Sequence, residues 1–182
     1  MGHYASSPRK GYVMIHHTGS PNSHLDNSTN YCGHGYDFHV RRNGTIVVCS
    51  SWNNSSGSHA KGCNCASVGI MMNGCFGGCK DQNGNPYGNV SGPSHDQKCG
   101  VAYLIAHLNT PDEATRLRPH ARCASWNPCS DPSPTSTVCC GTEFTTPNTT
   151  SRWNSKGDGL VDELRTKRRR FDVYGCCSCE PS

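Results

Sequence analysis

Fourteen cysteines in a chain of 182 residues constrain this sequence more than any other feature. Only 33% of the residues are hydrophobic, and 20 glycines and 11 prolines interrupt them, so the core must be thin and the loops extensive. In so polar a chain the cysteines read as disulfides formed in an oxidising compartment, each adding roughly 2–4 kcal/mol by restricting the unfolded state. A cytosolic cluster of metal-bound thiolates is the competing reading. The length suits one domain with extensions. A net charge of +4 is too modest to mark a nucleic-acid binder and is compatible with an anionic surface. No run of about 18 apolar residues occurs, so no membrane span is expected. No apolar stretch follows Met1-Gly2-His3-Tyr4, so the opening does not read as a signal peptide.

Residues 11–17 predict a strand, because Tyr12-Val13-Met14-Ile15 is a short apolar run that enters two histidines. Between residues 36 and 50, Phe38 and Val40, then Ile46 and Val48, alternate on either side of Asn43-Gly44, which predicts a hairpin with a tight turn. Residues 50–64 read as loop. Residues 67–72 read as a second apolar strand, ended by Asn73-Gly74. Val101, Leu104, Ile105 and Leu108 fall at helical spacing after a candidate N-cap at Ser94, and Pro111 is expected to close that helix. Residues 116–141, rich in proline and cysteine, read as a constrained loop. A second helix is expected over about 159–170, with Leu160, Val161 and Leu164 inward. Strands mixed with helices predict an α/β fold: a single domain with a central mixed β-sheet flanked by helices, loop-rich and disulfide-stabilised. The expected boundaries are an N-terminal extension over 1–10, the domain over 11–172, and a cysteine-rich tail over 173–182 packed on it.

Four positions invite a chemical reading. His16-His17 ends a buried strand, where alternation lets one ring face a cleft while the other faces away. Tyr36 opens the hairpin beside Gly35. His120 follows Leu117-Arg118-Pro119, and Cys139-Cys140-Gly141 offers a thiolate or two disulfide partners. Two neutral imidazoles and a thiolate suit zinc, and three protein ligands leave the fourth position for water. The long spacings prove nothing alone, and each residue has an ordinary alternative as strand end, packing aromatic, loop histidine or bridged cysteine.

Taken in order, the segments resemble a known family. They are Val13-Met14-Ile15-His16-His17-Thr18, Gly35-Tyr36-Asp37-Phe38 leading to Arg41-Arg42-Asn43-Gly44-Thr45, Gly57-Ser58-His59-Ala60-Lys61-Gly62-Cys63-Asn64, and Ser67-Val68-Gly69-Ile70. The helix with Gln97 near its start fits the same plan. Together they resemble the zinc-dependent N-acetylmuramoyl-L-alanine amidases, which include phage amidase-type lysozymes and peptidoglycan recognition proteins. The resemblance spans roughly residues 11–170 and is most specific in the middle block.

The resemblance implies that His16, His120 and Cys139 hold Zn2+. It further implies that Tyr36 is catalytic with Thr137 assisting, and that His59, Asn64 and His17 neighbour the substrate. Asp131, in Asp131-Pro132-Ser133-Pro134, is a rival third ligand, as are Cys129 and Cys140. If Cys139 is a ligand, an odd number of cysteines remains. The implied reaction is hydrolysis of the amide between N-acetylmuramic acid and L-alanine in peptidoglycan, by a secreted or lysin-type monomer acting on the cell wall. A non-catalytic peptidoglycan-binding module is the alternative. Such forms typically lose a zinc ligand, whereas His16, His120 and Cys139 are all present here. Three departures from the family pattern stand out: the stretch from His16 to Tyr36 is short, which bears on substrate fit, Asp37 stands where histidine is common, and the loop between His120 and Cys139 is longer than usual.

Overall fold

A computed structural model describes residues 11–18, 32–49, 57–74, 76, 92–108, 117–119 and 164. Among the described residues, five strands form one mixed sheet: β1 (Tyr12–His17), β2 (Phe38–Val40), β3 (Ile46–Val48), β4 (Ser67–Met72) and β5 (Leu117–Pro119). Their order is β3-β2-β4-β1-β5. Strands β2, β4, β1 and β5 run parallel to their neighbours, and only β3 is antiparallel, as the hairpin partner of β2. The expected α/β single domain with a mixed central sheet is therefore what forms.

Strand alternation divides the sheet into two chemically different faces. Val13 and Ile15 of β1, Phe38 and Val40 of β2, and Val68, Ile70 and Met72 of β4 share one buried cluster with helix α1 (His95–His107) through Val101, Leu104, Ile105 and Leu108. Phe76 and Leu164 complete this core. Leu164, expected inward on a second helix, is helical and fully buried; the rest of that stretch lies outside the described residues. Among the described residues, the opposite face carries a smaller apolar cluster of Met14, Ala60 and Cys63, together with Met71 between His16 and His39, and His16, Asp37, His39 and Asn73 are buried there as well.

The start of α1 is joined to the sheet by polar contacts. Ser94 and Gln97 form a reciprocal capping box, with Gln97 N–H donating to Ser94 Oγ at 3.0 Å and Ser94 N–H to Gln97 Oε1 at 3.1 Å. Buried Gln97 also donates through Nε2 to Asn73 O at 2.8 Å and to Val40 O at 3.3 Å, which ties the helix to the ends of β4 and β2. Arg42 donates to Gly92 O and to Gln97 Oε1, and burial pulls its guanidinium below the ordinary arginine value. Ser94→Ala removes an acceptor from the first helical turn and a donor to Arg42 O. We expect it to cost about 1 kcal/mol, read as a lower urea midpoint with unchanged slope.

Two local expectations are corrected. The turn between β2 and β3 spans Arg41–Gly44 rather than a two-residue Asn43-Gly44 turn. Gly44 N–H donates to Arg41 O, Arg41 N–H donates to Thr45 O, and Gly44 sits at φ +80°. A β-carbon there would also lie 2.9 Å from Asp96 O, so the approach of α1 and the left-handed backbone both select glycine. Helix α1, as expected, ends ahead of Pro111, at His107 with Leu108 as its C-cap. Leu117–Pro119, expected within a loop, is an edge strand, where proline costs no ladder bond on its outer side. Edge position also explains why Val48 of β3 is 51% exposed although it alternates in phase with the core residue Phe38.

The disulfide reading of the cysteines holds for every described one. Cys32 is bridged to Cys49 across a separation of 17 residues, and Cys63, Cys65 and Cys99 are disulfide-bonded as well. Closing a loop of that size contributes about 3 kcal/mol. The bridge joins a short 3-10 turn (Cys32–His34) to the end of β3, on either side of the segment that carries Tyr36.

Candidate active site

Three of the sequence candidates, His16, Tyr36 and His59, meet on the polar face of the sheet. His16 lies near the C-terminal end of β1, the strand flanked by β4 and β5. Its ring is fully buried between two others: Tyr36 and His59 each stand edge-on with ring centroids 5.0 Å away. The Nε2 of His16 is 3.0 Å from the Nδ1 of His59. His17, one residue on, points to the opposite face. It packs against Phe76 at a centroid distance of 5.6 Å and accepts the Phe76 N–H at 3.0 Å through Nδ1. The pair of histidines thus divides as strand alternation predicts.

Backbone contacts hold the end of β1. Thr18 N–H donates to Met72 O, Thr18 Oγ1 donates to Gly74 O at 2.9 Å, and Gly74 N–H donates back to Thr18 Oγ1 at 3.0 Å. The loop that bears His59 is equally braced. Asn64 Oδ1 accepts the Ala60 N–H at 2.6 Å, Cys63 N–H donates to Ala60 O, and Ser67 Oγ donates to Cys63 O at 2.6 Å. Asn64 therefore spends its carbonyl oxygen inside the loop. His59 itself is only 6% exposed, and its Nε2 is 3.3 Å from Ser67 O.

Gly69 makes room for that ring. A β-carbon at Gly69 would lie 2.6 Å from Cγ of His59, so the imidazole occupies the space a side chain of β4 would otherwise fill. Asp37 holds Gly69 in turn: its carboxylate accepts the Gly69 N–H at 2.8 Å, and its own N–H donates to Gly69 O at 3.0 Å. The aspartate that departs from the family pattern is thus a fully buried clamp between β2 and β4. On the same face, His39 donates through Nε2 to Asn73 Oδ1, and Asn73 N–H donates to Val40 O. Sequence reading missed Asp37, His39, Gly69 and Asn73 as parts of this face. The alternation of Asp37 and His39 with Phe38 and Val40 was the available signal.

His16, Tyr36 and His59 come together; Asn64 supports the loop of His59; and His17 serves the opposite face. His120, Thr137, Cys139 and the rival Asp131 lie outside the described residues, and among the described residues no group of three or more His, Cys, Asp or Glu gathers to hold a metal ion. No helix among the described residues is long and apolar enough to cross a membrane.

Residues 7–134 match the family described as N-acetylmuramoyl-L-alanine amidase, and the chain belongs to that family. Its peptidoglycan amidase activity is the activity that membership supports. The fold is similar to that of N-acetylmuramoyl-L-alanine amidase LysC from Clostridium intestinale URNW, with 21% identity, a TM-score of 0.53, and 87% of this chain and 86% of that chain covered. It is likewise similar to the endolysin N-acetylmuramoyl-L-alanine amidase LysCS from the same organism, with 20% identity, a TM-score of 0.51, and 91% and 93% covered. No curated protein matches the chain.

Proposed function

We propose that the chain is a zinc-dependent hydrolase of the amide bond between N-acetylmuramic acid and L-alanine, acting on the cell wall as a secreted or lysin-type enzyme. The observation that carries this reading is the register of β5 against β1. Pro119 pairs with Ile15, and the residues that follow these two in the sequence are His120 and His16.

The donor set fits zinc. His16 is a buried imidazole with one ring nitrogen already engaged by another side chain, the arrangement that orients metal-ligating histidines. With His120 and Cys139 it would make a site of two imidazoles and a thiolate with an open fourth position. Those residues would hold zinc, which would supply the Lewis acidity that makes hydroxide available near neutral pH and polarises a scissile carbonyl. In this reading Tyr36, edge-on to His16 and partly exposed, would donate its hydroxyl hydrogen to the oxyanion that develops on the lactyl carbonyl, with Thr137 assisting. Buried His16 and His59 help keep bulk water from that side of the reaction.

The test is zinc content and amino-terminus release measured together. The wild type is expected to hold about one zinc per chain and to release free L-alanine amino termini from purified peptidoglycan, and a chelator should stop the release. Cys139→Ala and His120→Ala are each expected to lose the metal. Retention of zinc by Cys139→Ala alone would transfer the third ligand to Asp131. New reducing sugar ends without new amino termini would overturn the amidase assignment.

A further inference from the structure

The ring-to-ring hydrogen bond between His16 and His59 does more than pack two side chains. His59 Nε2 faces Ser67 O at 3.3 Å, and a carbonyl oxygen only accepts, so with neutral rings that nitrogen carries the hydrogen. A neutral imidazole has a single N–H, so His59 Nδ1 is an acceptor. The hydrogen in the 3.0 Å contact between the rings then belongs to His16 Nε2. The lone pair of the His16 ring accordingly lies on Nδ1.

We infer that His59 is a positioning residue: it sets the tautomer and the ring orientation of His16, so that His16 binds zinc through Nδ1. This rests on the proposed role of His16 as a zinc ligand. Metal-ligating histidines generally donate their second ring N–H to a carboxylate, a carbonyl or water, and such partners fix both tautomer and orientation. Here the acceptor is a second imidazole, itself referenced to a backbone carbonyl of β4. Three features keep that imidazole in place. It lies over Gly69 where a β-carbon would collide with it, its loop is braced by Asn64, and Ser67 is buried and bonded back to Cys63 O. At 6% exposure, His59 is placed to support a ligand rather than to wall an open groove.

Long-range 1H–15N correlation spectra of the metal-free protein read the two tautomers directly. Both His16 and His59 are expected to carry hydrogen on Nε2; a hydrogen on Nδ1 of either ring overturns the inference, without recourse to any variant. Zinc affinity by competition with a chromophoric chelator supplies the second readout. His59→Phe retains a flat ring over Gly69 but no acceptor, and should bind zinc about 10- to 100-fold more weakly. His59→Asn, whose amide oxygen falls near the Nδ1 position, should recover most of that loss. A raised KM in His59→Phe with unchanged zinc affinity overturns the positioning role and returns His59 to the substrate groove. Full zinc retention by a His16→Ala protein would instead defeat the functional reading while leaving the tautomer result intact.

Discussion

An alanine at position 16 is expected to leave a folded chain that holds no stoichiometric zinc and releases amino termini from peptidoglycan at least about 1000-fold more slowly, equivalent to roughly 4 kcal/mol in the barrier. His16 projects from a strand that pairs on both sides, with β4 over six residues and with β5 over three, so the backbone survives the truncation. The loss falls on the site. Removing the imidazole takes away a proposed ligand and the donor to His59 Nδ1, and it opens a space between the rings of Tyr36 and His59. The buried acceptor left behind costs about 1–3 kcal/mol, so a modest fall in the unfolding midpoint should accompany the loss of activity. Zinc content, amino-terminus release and urea unfolding on one preparation separate these effects. Near-normal metal content and activity in the variant would remove His16 from the centre.

The second large effect is expected at Gly69. Glycine to alanine in the middle of a strand ordinarily stabilises, because it restricts the unfolded chain and improves strand propensity. At this position the sign should reverse. The added β-carbon would meet His59 Cγ at 2.6 Å, Cδ2 at 2.7 Å and Nδ1 at 2.9 Å, and Gly69 is clamped from the other strand by Asp37. The ring must therefore move. We expect Gly69→Ala to lose about 1–3 kcal/mol by overpacking. Displacement of His59 from His16 should also lower kcat by about 100-fold, as misplacement on the scale of an ångström does. In a His59→Ala background the same substitution should cost much less stability. A Gly69→Ala protein as stable as the wild type, or a cost undiminished in the His59→Ala background, would show that the ring does not depend on the missing side chain.

Much of the scaffold is legible from residue patterns, and the reasons are local. Tyr12-Val13-Met14-Ile15 and Ser67 to Met72 are apolar runs of strand length, and both become strands buried along their length. Val101, Leu104, Ile105 and Leu108 keep helical spacing after Ser94, and they are the residues α1 buries. Leu117–Pro119 escapes such reading because a three-residue edge strand owes its form to the ladder with β1, a partner about a hundred residues away, rather than to its own composition. In the candidate site, His16 and Tyr36 stand out by motif, and strand alternation foretells that His16 and His17 part. The contact of His16 with His59 spans 43 residues and depends on Gly69 lacking a side chain, which no periodicity encodes. Asp37 illustrates the converse. It is visible as a departure from the family pattern, yet its use as a strand clamp emerges only once β2 lies beside β4.

The two-faced sheet has a practical consequence for anyone altering this protein. Among the described residues, the larger apolar cluster lies on the side covered by α1, whereas His16, His59 and Tyr36 gather on the other. Substitutions confined to opposite sides share few partners, and distant sites combine nearly additively. Thermal tolerance can therefore be raised from the helical side by repacking around Leu104 and Ile105 while turnover is tuned separately from the histidine side. The strand backbones are the one component that both campaigns must leave untouched.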